Sequence, residues 1–129
     1  MEEKDREIWI GENRLLLGED NILFETVFVN IDEKMAIAMG AASHKIQSTV
    51  EGKVNVPIDI NKAGKPSPEA RKIAKKRMED EGIGKVAITG MNPVARVIAS
   101  FIMGALTKAD MQFFKIKDEA LAWLKGESS

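Results

Sequence analysis

The sequence predicts an α/β fold with a mixed, largely parallel β-sheet, an antiparallel meander at the N-terminus and four helices. Two observations lead to this fold class. The first 29 residues read as short strands separated by turns, as in strands joined by hairpins. From residue 33 onward, segments with helical apolar spacing alternate with short apolar runs. This alternation is typical of parallel strands joined by crossover helices.

The N-terminal meander is predicted from three short apolar runs. Turns at Gly11–Asn13 and Gly18–Asn21 separate them, because glycine, asparagine and aspartate favour turn conformations. The third run, ILFETVFV, is the clearest strand, since it is rich in β-branched and aromatic residues. The predicted strands are Ile8–Ile10, Arg14–Leu17 and Ile22–Val29.

The alternating part is predicted from helix caps and buried runs. Asp32 and Ser67 are placed to accept free N–H groups of a first helical turn, and Pro68 suits a first helical position. Pro57 in VNVPIDI indicates an edge strand or a bulge. Asp118 is expected to cap a terminal amphipathic helix, DEALAWLKG. The other predicted elements are helices over 33–50 and 68–80 and strands over 54–60, 86–89 and 111–116.

Residues 85–108, KVAITGMNPVARVIASFIMGALTK, predict a buried strand, a tight turn and an unusually apolar helix over 93–107. Asn92 is expected to cap this helix, with Pro93 at its first position. At about 100° per residue, the side chains expected to face the sheet are Val94, Val97, Ile98, Phe101 and Ala105. A further flank is also apolar, and it comprises Ala95, Ala99, Ile102, Met103 and Leu106.

The apolar flank of the helix 93–107 needs a cover. Each large side chain on it would gain roughly 1.5–3 kcal/mol on burial, and monomers seldom leave such a patch in water. Three covers remain open: the terminal helix with Trp123 and Leu124, a second copy of the chain, and an apolar ligand or membrane. For a ligand, the expected lid and pocket residues are Val94, Ile98, Phe101, Ile102, Met103 and Leu106.

Polar side chains follow two of the predicted parallel strands. Loops after such strands open on one edge of the sheet, where ligands usually bind. Helix N-termini at this edge would supply free N–H groups, which favour anions. We therefore expect a polar rim that could hold an anionic head group, formed by Asp59, Lys62, Lys65, Ser67, Asn92 and Arg96.

The composition excludes several function classes. The chain has 129 residues, no cysteine, one histidine and a formal net charge of −1. The lack of cysteine excludes disulfides and thiol catalysis, and near-neutrality gives no drive toward nucleic acid. The charged start, MEEKDREIWI, does not resemble a signal peptide. We expect a single domain over 1–129 with residues 1–6 frayed, a cytoplasmic location, and no cofactor, metal or nucleic-acid partner.

Catalysis is not expected. Ser67, His44 and Asp59 could be assembled into a triad, but nothing resembles Gly-x-Ser-x-Gly. His44 also lies on the helical face opposite Met35, Met39 and Ile46, and should point outward.

Three segments together, KVAITG, NPVARVIASFIMG and MQFFKIKDEALAWLK, resemble the SpoIIAA-like family. That family has the STAS fold and is similar in shape to Sec14/CRAL-TRIO lipid-binding domains. The resemblance is best over residues 54–125. It implies binding or regulation without catalysis, with the helix 93–107 swinging as a lid over an apolar pocket and touching membranes. In the phosphoregulated STAS branch a serine receives phosphate. Ser67 takes that place here, but the branch's Asp-Ser-Ser-Gly pattern is absent.

The sequence therefore favours a non-enzymatic binding or regulatory domain. Its expected partner is an apolar or amphiphilic, lipid-like ligand, or a membrane surface, under the helix 93–107. The alternative is a protein-interaction module, similar to an anti-sigma-factor antagonist, that forms a homodimer or docks through the same helix.

Overall fold

A computed structural model describes residues 6–28, 31–64, 66–91 and 110–126, and positions 93, 96, 97, 99 and 100. Within these residues the chain forms one six-stranded sheet. The strands are β1 (Glu7–Ile10), β2 (Asn13–Leu17), β3 (Leu23–Thr26), β4 (Val54–Asp59), β5 (Ile83–Thr89) and β6 (Met111–Phe114).

The order of strands across the sheet follows the order along the chain. The first three strands pair antiparallel, and β3 to β6 pair parallel. The predicted fold class, a largely parallel sheet that begins with an antiparallel meander, is confirmed.

Three helices have defined bounds in the described part of the chain: α1 (Glu33–Gln47), α2 (Pro68–Met78) and α3 (Lys117–Leu124). The predicted caps are present on the first two. The Asp32 side chain accepts from the Met35 N–H at 2.8 Å, and Ser67 Oγ accepts from the Ala70 N–H at 3.1 Å. These local hydrogen bonds fix where each helix begins.

The predicted cap of the terminal helix is wrong. The cap position is Ile116, which makes no side-chain capping bond, and Asp118 lies inside the first turn. A carboxylate is favourable there as well, because it faces the positive end of the helix dipole.

Pro57 lies in an internal strand, so the edge position is wrong, whereas the other predicted alternative, a bulge, agrees with a shift of register close to Pro57. On the β3 side, the pairs flanking Pro57 are Ile22–Asn55 and Glu25–Ile58. On the β5 side, the register shifts between Val54 and Val56. The hydrogen-bond ladder of β4 is therefore irregular close to Pro57, which has no N–H to donate.

The predicted helix 93–107 lies mostly outside the described residues, including Val94, Ile98, Phe101, Ile102, Met103 and Leu106. The described positions between 93 and 100 are helical. Ala99 is 1% exposed and packs into the core, whereas Val97 is 56% exposed. The expectation that Val97 faces the sheet is therefore wrong. The two positions are about 200° apart on a helix, so turning the small Ala99 inward turns Val97 outward.

The core has two parts because neighbouring residues of a strand point to opposite faces. Val86 and Ile88 of β5 belong to the larger cluster, with side chains of α1 and α2 and with Ala99. Ala87 belongs to the second cluster, which contains Phe114, Trp123 and Leu124. The terminal helix thus lies on the face opposite Ala99. Of the three covers left open for the flank of the helix 93–107, the terminal helix is therefore excluded at Ala99, a described member of that flank.

Candidate functional site: an apolar cavity with a buried ion pair

A cavity of about 80 Å³ lies between α1, α2 and the strands β3 and β4, and we call it the α1–α2 cavity. Its wall is mostly apolar, with contributions from Val27, Met39, Ile58, Ile60, Ala70 and Met78. The loop between β4 and α2 adds Ala63, Gly64 and Pro66. The predicted polar loop after β4 therefore borders an apolar space.

Small residues on facing elements account for this space. Ala36 of α1 lines the cavity from one side, and Ala70 and Ala74 of α2 line it from the other. Alanine side chains fill less of the space between facing elements than larger apolar side chains would. A short unfilled space therefore remains under the β4–α2 loop.

An ion pair between Glu25 of β3 and Arg77 of α2 forms part of the cavity wall. Glu25 is 4% exposed. Arg77 Nη1 donates to Glu25 Oε1 at 2.9 Å, and Nη2 donates to Oε2. This is the bidentate geometry in which guanidinium binds carboxylate best. Burial acts to lower the pKa of Arg77, but the charge of Glu25 and the hydrogen bonds to it leave that pKa raised.

One donor of this pair has no partner. Arg77 Nε is buried and meets no hydrogen-bond acceptor among the described residues. A guanidinium carries five N–H donors in a fixed fork, so using its Nη atoms for Glu25 leaves Nε to be satisfied separately. The site thus combines an apolar wall, a neutralised charge pair and one unsatisfied donor.

The loops after β4 and β5 meet at one edge of the sheet. Asp59 Oδ1 accepts from both the N–H and Nδ2 of Asn61, each at 2.9 Å. Asn61 Oδ1 in turn accepts from the Met91 N–H at 2.7 Å. Asn61, which sequence reasoning did not select, therefore links the two loops and engages Asp59.

The other members of the predicted polar rim make local contacts. The Ser67 N–H donates to the Ile31 carbonyl at 3.0 Å, which holds the start of α2 against the segment before α1. Lys62 Nζ lies 5.8 Å from the centre of the Phe28 ring, and the Arg96 guanidinium lies 5.7 Å from that of Phe113. Lys65 and Asn92 lie outside the described residues.

His44 is exposed, and no group of three or more histidine, cysteine or acidic residues in the described ranges is placed to hold a metal ion. Among the described residues, no helix is both long and apolar enough to cross a bilayer. Residues 1–5 lie outside the description, whereas Arg6 donates hydrogen bonds to the Leu17 and Gly18 carbonyls at 3.1 Å.

Sequence reasoning missed the ion pair, although a signal for each partner was present. Leu23 and Glu25 of β3, and Val27 just after it, lie on the buried face, so the glutamate sits at an inward position. Arg77 lies seven residues after the buried Ala70, on the same face of its helix. A charge at an inward position of each element indicates a buried pair.

Comparisons with known proteins identify the family and the fold. A family model described as "Domain of unknown function (DUF7793)" matches residues 16–127. The chain is similar to a solved structure, an uncharacterized protein of the DUF3478 family with a SpoIIAA-like fold from Shewanella loihica PV-4. The identity is 19% and the TM-score 0.65, over 87% of this chain and 91% of that one. No curated protein matches the chain.

Proposed function

The chain belongs to the DUF7793 family and has a SpoIIAA-like fold, and we propose that it is a non-catalytic, regulatory binding domain for an apolar or amphiphilic ligand. The observation that carries the proposal is the α1–α2 cavity, whose wall is mostly apolar and carries one buried ion pair. Ligand sites typically combine such walls with a few placed polar groups.

The size of the cavity limits what it can enclose. At about 80 Å³ it is roughly half the volume of an engineered cavity of about 150 Å³ that binds benzene. It therefore suits a short end of a ligand, a few carbons with one small polar group. The rest of a longer ligand would leave past Ala63, Gly64 and Pro66, beside the polar loop that carries Lys62.

This proposal shifts the apolar part of the site from the position that the sequence suggested. The lid and pocket residues expected on the helix 93–107 lie outside the described residues. The cavity lies instead between the two preceding helices, on the same face of the sheet as Ala99. An amphiphile remains the expected ligand, and the loop after β4, which borders the cavity, lies beside the part of the ligand that the cavity does not enclose.

Native mass spectrometry of the freshly purified protein, followed by solvent extraction, tests the proposal. We expect a co-purifying amphiphile, and we expect its loss in Ala74→Leu, which fills the cavity. Ala41→Leu, on the exposed side of α1, is the matched control and should keep the ligand. The proposal fails if the wild type carries nothing and binds no added hexan-1-ol.

Docking to a second copy, or to a membrane surface, is the second candidate. Met91 is 75% exposed and Val97 56% exposed, and both follow the end of β5. Such apolar side chains lose contact with water when a partner covers them. We expect Val97→Glu to convert a dimer into a monomer in sedimentation velocity. A wild-type monomer at high concentration would contradict the dimer.

A further inference from the structure

We propose that the Glu25–Arg77 ion pair selects the polar end of the ligand, so that the α1–α2 cavity accepts an alkyl chain ending in an uncharged oxygen and rejects a carboxylate. Alcohols, ketones and amides belong to the accepted class. This inference rests on the proposed function, because it assigns the chemistry of a ligand in the same cavity.

The first argument is the unsatisfied donor. Arg77 lines the cavity, and its buried Nε meets no acceptor among the described residues. Buried polar groups are almost always hydrogen-bonded. An oxygen on a ligand in the cavity would accept this N–H, whereas a plain hydrocarbon would leave it without a partner.

The second argument is charge. Two hydrogen bonds to Glu25 already neutralise Arg77. A ligand carboxylate would bring a second negative charge beside Glu25, which is 4% exposed, and the described residues offer no second buried cation to balance it. Charges at such short range interact strongly where water is excluded, and an uncompensated buried charge is costly. An uncharged oxygen accepts the same N–H without that cost.

In the described part of the chain, two other cations line the cavity and bear on this argument. Arg71 and Lys75, on earlier turns of α2, are both half-exposed. Water screens the charge of such side chains, so they attract a ligand carboxylate far less than a buried cation would. Lys75→Gln therefore serves as a control, because it measures how much a half-exposed cation adds to the binding of a carboxylate.

The wild-type experiment is an NMR titration at pH 7 with hexan-1-ol and with hexanoate, observing the Nε–Hε correlation of Arg77. We expect hexan-1-ol to bind at least about tenfold more tightly, a difference of about 1.4 kcal/mol. We also expect it to shift the Arg77 signal. If hexanoate binds as tightly as the alcohol, or if the alcohol leaves the Arg77 signal unmoved, the inference is overturned while the proposed function stands. If neither probe binds, both are overturned.

A charge variant tests the selection directly. Glu25→Gln keeps the shape of the side chain and leaves Arg77 with an uncompensated positive charge. We expect the preference to reverse, with hexanoate bound at least about tenfold more tightly than hexan-1-ol, and we expect Lys75→Gln to keep the wild-type order. An unchanged preference in Glu25→Gln overturns the inference. If that variant does not fold, the wild-type affinities and the Arg77 signal decide.

Discussion

Asn13 is a fully buried amide that joins three segments of the chain. It is 0% exposed, and its Oδ1 accepts from the Phe28 N–H at 2.8 Å. Its Nδ2 donates to the sulfur atoms of Met35 and Met39, at 2.9 and 3.7 Å. The buried Asn13 amide thus connects the start of β2 to the segment after β3 and to α1.

Replacing Asn13 with leucine should destabilise the protein. The change removes the hydrogen bond from the Phe28 N–H and the contacts with the two methionine sulfur atoms, and a single hydrogen bond contributes about 0.5–1.5 kcal/mol. Urea denaturation measures the effect. Glu12→Ala, at an exposed position of the preceding turn, should change the free energy of unfolding by less than about 0.5 kcal/mol. Equal effects from both variants would contradict the structural role of Asn13.

The ion pair should show strong coupling between its two members. Arg77→Met alone leaves Glu25 buried without its cation, and such breaks cost about 3–5 kcal/mol. Combining it with Glu25→Leu should recover most of that loss, because apolar replacement of both partners is often neutral. A double-mutant cycle from urea midpoints measures the coupling, and additive single effects would contradict it.

Residue roles could be predicted from the sequence where they depend on neighbours in the chain. Asp32 and Ser67 cap helices through bonds to residues three positions on, so composition and spacing were enough. Glu25 and Arg77 are 52 residues apart. Their pairing depends on how a strand and a helix pack together, which no local pattern specifies.

At the scale of elements, α3 is attached to the sheet through its C-terminal end. Asn55 Nδ2 donates to the Leu124 carbonyl at 3.1 Å, and Asn55 Oδ1 accepts from the Lys85 N–H at 2.9 Å. Lys85 Nζ donates to the Trp123 carbonyl at 3.3 Å and lies 5.1 Å from the centre of the Trp123 ring. Neighbouring residues of β4 and β5 therefore satisfy carbonyl groups at the helix end.

Asn55→Ala should loosen α3 without disturbing the rest of the core. The Leu124 carbonyl loses its donor and the Lys85 N–H its acceptor, so we expect a loss of about 1–2 kcal/mol. Hydrogen exchange should speed up in residues 117–124 while residues 33–47 keep their protection. Equally faster hydrogen exchange in α1 and α3 would show that α3 does not open as a separate unit.

Helix orientation was harder to predict than helix position. The apolar spacing of 93–107 suggested that Val97 faces the sheet, yet Ala99 is the residue that packs inward. When a helix is apolar on most sides, its hydrophobic pattern no longer specifies which side is buried. The terminal helix shows the same limit, because its spacing does not reveal which face of the sheet it covers.

For the whole molecule, the alternation of strands and helices was enough to predict a parallel sheet with an antiparallel start. Strand order follows chain order, so each helical connection joins adjacent strands, and α1 and α2 share one face of the sheet. The α1–α2 cavity is a consequence of that packing. Its position depends on small residues from three separate segments, and no local pattern in the sequence shows that these segments meet.

The most direct test of the central claim is photo-crosslinking with a medium-chain alcohol that carries a diazirine beside its hydroxyl group, followed by peptide mapping. The α1–α2 cavity predicts adducts on residues of α1 and α2, including 36–39 and 70–78, and predicts that Ala74→Leu removes them while Ala41→Leu does not. Adducts confined to residues 94–106, or no specific adducts, would contradict the placement of the ligand between these two helices.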